Sequence, residues 1–156
     1  MERQRFIKQT EIPAAPEKVF AWHEQPGALE KLTPPWERVE VVENPGNLRV
    51  GARVILKVYA GPFGRLWVAE HTEYEPPHLF VDVQRSGPFA YWRHRHLFKA
   101  TERRTTMMTD EIEYELPLGW LGGIIAGEFT RAKLKKMFDY RHQVVLEHFT
   151  RQAAPE

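Results

Sequence analysis

The chain contains no cysteine. Disulfides and thiolate chemistry are excluded, and the composition suits a reducing compartment. It has a single serine, Ser86, inside the turn-like run Ser86-Gly87-Pro88. With no nucleophile elbow, serine-hydrolase chemistry has little to work with. There is no P-loop and no glycine-rich dinucleotide fingerprint. No stretch reaches the roughly 18 apolar residues that crossing a bilayer needs. The opening MERQRFIKQTEI is charged and lacks the apolar run of a signal peptide, so a cytoplasmic location is expected. Charge of one sign is missing too. Twenty-two Lys and Arg stand against 21 Asp and Glu, a net +1. Neither nucleic acid binding nor stable membrane insertion is expected of such a balance.

What is present is the composition of an ordinary globular protein, 42% hydrophobic and 28% charged over 156 residues. This predicts one domain over 1–150, followed by a frayed tail over 151–156. Residues 89–98, FAYWRHRHLF, are the most informative stretch. As a strand they sort onto two faces. Trp92, His94, His96 and Phe98 share one; Tyr91, Arg93, Arg95 and Leu97 share the other. The arginines mark the outside, which leaves two imidazoles inside among aromatics. A plain core would use Val, Ile and Leu there, so the pattern predicts the wall of a cavity.

Around that stretch the pattern alternates in period two for about eighty residues, with turns at 44–47, 61–64, 76–77 and 86–88. Strands are predicted over 6–12, 36–43, 53–60, 65–74, 79–85, 89–98 and 104–116. Pro16 near the first helical position and Glu17 in the first turn open a short helix, and 28–32 make one further turn. The C-terminal third changes period. Leu134, Phe138, Val145 and Phe149 fall on one side of a helical wheel, with Met137 and Val144 beside them. A long amphipathic helix from near Gly119 to near Phe149 follows, with Gly127 on its apolar stripe as packing clearance. Strands segregated from helices predict an α+β fold: a curved antiparallel sheet of six to seven strands around a long C-terminal helix, with two short helices after the first strand. A hollow between sheet and helix is the expected by-product.

The element order, with FVDVQRSGPFAYWRHRHLF (80–98), TDEIEYELPLG (109–119) and MFDYRH (137–142), resembles the START-like, Bet v 1-like (SRPBCC) superfamily. The likeness is to its polyketide cyclase/dehydrase branch, including small domains found beside epimerase-like proteins. The resemblance implies the helix-grip fold and a deep pocket for a hydrophobic or amphipathic small molecule. It supplies no universal catalytic motif, because the superfamily shares a scaffold more than a chemistry.

The last two strands form a hairpin. With its tip at Thr101 to Arg103, His94 stands opposite Asp110, His96 opposite Met108 and Trp92 opposite Ile112. A slip of two sets His96 against Asp110 instead; both registers place an aspartate beside an imidazole. Asp110 is the one charge on a face otherwise made of Met108, Ile112, Tyr114 and Leu116. In the preceding hairpin His71 stands near Asp82, but alternation leaves open which side faces inward. Arg141 falls within the apolar stripe of the long helix, where a guanidinium must be paired, reach water or hold a ligand anion.

The candidate ligand-binding residues are therefore Trp92, His94, His96, Phe98, Asp110, Tyr114, Met137 and Arg141. His94 and Asp110 are the candidate catalytic pair, an aspartate-oriented imidazole that works near neutral pH. His94 and His96 could point at one ion with Asp110 as third ligand. Short His-x-His runs arise by chance, however, and no metal and no cofactor is expected. Trp36 and Trp120 could rim a mouth. The first expectation is a non-enzymatic protein that binds, carries or senses a hydrophobic molecule. The second is a cyclase/dehydratase-type enzyme using the His–Asp pair. The third is an interaction module: an exposed sheet edge could support a homodimer, and the resemblance implies an epimerase-like partner.

Overall fold

The computed structural model describes residues 2–117 and 123–155. It contains strands β1 (Gln4–Ile12), β2 (Val39–Glu43), β3 (Arg53–Ala60), β4 (Phe63–Glu75), β5 (Leu79–Ser86), β6 (Tyr91–Ala100) and β7 (Thr106–Glu115). Helices α1 (Pro16–Glu24) and α2 (Ala28–Leu32) follow β1, and α3 (Gly123–Ala153) closes the chain. The strands form one curved antiparallel sheet in the order β1-β7-β6-β5-β4-β3-β2. Register shifts in β2–β3 and twice in β4–β5 mark bulges, which bend a sheet.

Local chemistry accounts for the boundaries. Pro16 sits at the start of α1 with Ala15 as cap, and the left-handed Gly27 (φ +82°) opens α2. The expected strand from Trp36 begins only at Val39, because the Glu37 amide donates to the Pro34 carbonyl and the chain turns first. The turn expected over 61–64 is tighter. Ala60 pairs with Phe63, and Gly61 (φ +59°) takes the first place of a two-residue turn that favours positive φ. At the other end α3 runs on to Ala153, four residues past the expected stop and into the expected tail. The predicted start at Gly119 and the rim position of Trp120 lie outside the described residues.

The interior divides in two. Ile12, Val19, Phe20, Trp22, Phe80, Phe98, Met108, Val145 and Phe149 make one cluster, beneath α1 and the C-terminal half of α3. Phe6, Trp92, Ile112, Tyr114, Leu116, Leu134 and Phe138 make the other, beneath the N-terminal half of α3. Between them, β6, β7 and α3 each change character. β6 passes from Trp92 through His94 and His96 to Phe98. β7 passes from Met108 through Asp110 to Ile112. α3 passes from Phe138 through His142 to Val145. Gly127, buried on α3, gives clearance as expected: a β-carbon there would stand 3.3 Å from the Gln4 side-chain nitrogen on β1.

Candidate functional site

A cavity of about 660 Å³ opens between the sheet and the helices α2 and α3. Val54, Leu56 and Val58 from β3, with Trp67 and Ala69 from β4, form its sheet wall. Leu32, Met137 and Phe138 belong to its helical wall. Aromatic packing stiffens one side, where Trp67 meets Trp92 edge-on at 5.0 Å. The polar belt reaches the wall through His71, Asp82, His94 and His96.

The β6–β7 hairpin adopts the slipped register: His96 pairs with Asp110, His94 with Ile112 and Trp92 with Tyr114. The cause lies at the tip. Thr101 and Thr105 close a five-residue loop by the Thr101 amide donating to the Thr105 carbonyl, with Arg104 left-handed at φ 61°. Outside, Arg93 pairs with Glu73 at 2.8 Å and Arg95 with Glu111 at 3.3 Å, so the arginine face is the outer one. His71 pairs with Asp82 across β4–β5, and both face inward.

Two imidazoles then bridge two carboxylates. His94 donates from Nε2 to Asp110 Oδ1 at 2.6 Å, and its Nδ1 lies 3.6 Å from Asp82 Oδ2. His96 contacts Asp110 Oδ1 through Nδ1 at 3.1 Å and Asp82 Oδ2 through Nε2 at 2.9 Å. The rings lie 3.7 Å apart, and His96 stacks on Phe80 at 3.9 Å. From α3, His142 Nε2 contacts Asp110 Oδ2 at 2.7 Å, and its Nδ1 contacts Thr10 Oγ1 at 2.8 Å.

The protonation pattern follows from these contacts. Burial raises the cost of ionising Asp110, but His142, His94 and His96 outweigh it and hold the carboxyl well below the usual range. Asp82, opposed by burial but bonded to His96, is brought down to about 2. Burial and then the neighbouring His96 lower His94, which stays neutral near pH 7. Burial opposes the charge on His96, yet its bonds to Asp110 and Asp82 prevail and raise its pKa. His23, on α1 against Phe80 and Phe98, is pushed by burial down to about 4 despite its bond to the Val19 carbonyl.

The candidate residues separate into two groups. Trp92, His94, His96, Met137 and Arg141 line the cavity. Phe98, Tyr114 and Asp110 do not. Phe98 runs beneath α1, edge-on to Phe20 at 5.4 Å. Tyr114 is fully buried on β7 and donates its hydroxyl to Gln4 Oε1 at 2.8 Å. Asp110 lies behind the imidazoles, because the hollow spreads over β3 to β6 rather than over β7. Arg141 does not meet Asp110 across the cavity. Its Nε donates to the Leu32 carbonyl at the end of α2 (3.2 Å), and its guanidinium lies over Phe138. Among the described residues it forms no ion pair. Trp36, 46% exposed, packs edge-on against Tyr140 and does not line the cavity. His142 is the residue the pattern concealed. It sits four residues after Phe138 on the buried stripe, visible only if histidine is counted as a stripe residue. His23, unlike His142, lines the cavity, from α1.

The sequence profile described as polyketide cyclase/dehydrase and lipid transport matches residues 12–139. The chain belongs to this family. Its structural relatives span enzymes and other proteins of the same fold. An aromatase/cyclase from a Streptomyces species superimposes with a TM-score of 0.76 at 14% identity, covering 98% of this chain and 97% of that one. Norcoclaurine synthase from Thalictrum flavum, solved with dopamine and hydroxybenzaldehyde, matches with a TM-score of 0.66 at 19% identity, covering 94% and 88%. A nucleoside-diphosphate sugar epimerase from Corynebacterium glutamicum matches with a TM-score of 0.69 at 28% identity. That match covers 91% of this chain but only 28% of the epimerase, so the chain spans little more than a quarter of that protein. No functionally curated protein sequence matches this chain. The fold of the family member described here is thus the helix-grip, Bet v 1-like fold, a scaffold for hydrophobic ligands. No described helix is long and apolar enough to cross a membrane.

Proposed function

We propose that this family member binds, carries or senses a lipid- or polyketide-like molecule in the cavity between the sheet and α3. The carrying observation is the hollow itself. About 660 Å³ lies within the range of small-molecule sites, roughly 300–1,000 Å³, and its wall is mainly apolar with a few convergent polar groups. The chain of the ligand lies against Val54, Leu56, Val58 and Trp67, and its polar end meets the His–Asp belt. Arg141, without an ion pair among the described residues, supplies a cation for a carboxylate or phosphate. Native mass spectrometry of gently purified protein tests this. A co-purifying apolar compound is expected, and its extraction should lower the Tm. An empty protein that takes up no apolar compound on incubation would rule the reading out.

A second reading is an enzyme of the cyclase/dehydratase type. It is favoured by the neutral His94, fixed by Asp110 through Nε2, with Nδ1 at the cavity wall as a base for a proton next to a carbonyl. His94→Ala would then cut turnover by orders of magnitude, whereas a binder would show only a modest shift in affinity. The likeness to one segment of the epimerase supports an epimerase-like partner. Size-exclusion chromatography with such a protein would show a shared peak if that holds.

A further inference from the structure

We propose that Asp82, His94 and His96 form a binding site for a divalent first-row transition ion of the zinc class. One potential ligand atom from each of Asp82, His94 and His96 lies within 4.8 Å of the others. Two of the separations are 2.9 Å (His96 Nε2 to Asp82 Oδ2) and 3.6 Å (His94 Nδ1 to Asp82 Oδ2). Ligand atoms at about 2.0–2.1 Å from a tetrahedral ion stand roughly 3.3 Å apart, so the observed spacings straddle the required one.

The hydrogen bonding points the same way. His94 uses its single N–H on Asp110, at 2.6 Å. Nδ1 is therefore the ring nitrogen turned toward Asp82, whose Oδ2 lies 3.6 Å away. A metal ion held between these two atoms would take an electron pair from each. A second observation is independent of this pair. His71, 6% exposed and opposite Asp82 in the sheet, has an Nδ1 with no hydrogen-bond partner among the described residues. It lines the same end of the cavity.

The surrounding layer fits as well. Metal-bound histidines commonly give their other ring nitrogen to a carboxylate, which fixes the tautomer. Asp110 is that carboxylate for both rings, and His142 holds it from α3. This differs from the set the sequence suggested. Asp110 stands behind the rings and Asp82 in front, because the slipped register puts Asp110 beside His96. The open side of the ion faces the cavity, where a ligand carbonyl or carboxylate oxygen could complete the coordination. Only this last point rests on the proposed ligand-binding function.

The test uses untagged, chelator-treated full-length protein and the metal ion alone, with no organic ligand. Failure here therefore leaves the cavity's ligand binding untouched. Titration with Zn2+ by calorimetry, and with Co2+ by visible absorption, should give one equivalent with the intense bands of a low-coordinate Co2+ site. Asp82→Asn or His96→Ala should abolish binding, and Asp110→Asn should weaken it about 10- to 100-fold. The surface variant His78→Ala should leave it unchanged. Should a variant fail to fold, anomalous diffraction from a Co2+-soaked wild-type crystal decides the matter: the peak must lie between these three side chains. No saturable binding by wild-type, binding that survives Asp82→Asn, binding lost in His78→Ala, or a peak elsewhere would overturn the proposal.

Discussion

Asp110→Asn is the substitution that most directly tests how the polar belt holds the interior together. Asp110 is 8% exposed, and its two oxygens receive His94 at 2.6 Å, His142 at 2.7 Å and His96 at 3.1 Å. Hydrogen bonds to a charged group contribute about 1.5–3 kcal/mol each, and breaking a buried charge pair costs roughly 3–5 kcal/mol. Asparagine keeps one acceptor oxygen but turns an amide N–H2 toward rings that are themselves donors. The net expectation is a loss of about 3 kcal/mol at pH 7, a fall in Tm of roughly 6–12 °C for a chain of this size. Urea unfolding followed by circular dichroism measures it, with an unchanged m-value showing that the fold survives. The sign of the pH dependence is fixed too. Asp110 has a lowered pKa in the fold, so its contribution is present above the ordinary aspartate range and fades as acid protonates it. The gap between wild type and variant should therefore narrow below about pH 4. A loss under about 1 kcal/mol at pH 7 would refute the view of Asp110 as the keystone of the belt.

Three further outcomes follow from the same geometry. His23 falls from 6.5 to about 4 on folding, so the unfolded chain gains a proton first as pH drops. Stability should fall between pH 6.5 and 4 by up to roughly 3 kcal/mol, and His23→Gln should flatten that slope in pH-dependent melts. His94 and His71, also lowered, act in the same direction, while the raised His96 acts against it. Tyr114→Phe removes the hydroxyl bond to Gln4 and should cost about 1 kcal/mol in urea unfolding without altering ligand affinity, since Tyr114 is off the cavity wall. Phe20→Ala empties the ring cluster with Phe80 and Phe98 and should cost about 3–5 kcal/mol by the same assay.

Much of the architecture was legible because period and punctuation agreed. The alternation in 104–116 and the stripe through Leu134, Phe138 and Val145 both reflect burial on one side only, and those elements stand where expected. The inward turn of His94 and His96 was legible for the same reason, since Arg93 and Arg95 had to face water. Register was not. It depended on whether Thr101 to Thr105 close as three or five residues, and hydrogen bonds within the loop decide that. Asp82 was ambiguous because β5 is buried on both sides, with Phe80 and Val81 each under 5% exposed. His142 escaped because a helical stripe is recognised by apolar side chains, and a histidine serving as a buried hydrogen-bond partner carries no such mark. Phe98 and Tyr114 share a face with true wall residues; only the position of the hollow along the sheet separates them.

The central claim is an open, apolar-lined volume under α3, and a fluorescence titration with anilinonaphthalene sulfonate tests it most directly. The wild type should bind one equivalent saturably. Ala69→Trp, which narrows the hollow at β4, should weaken that binding while keeping its circular dichroism spectrum. Absence of saturable binding to the wild type, or equal binding by a folded Ala69→Trp protein, would contradict the account.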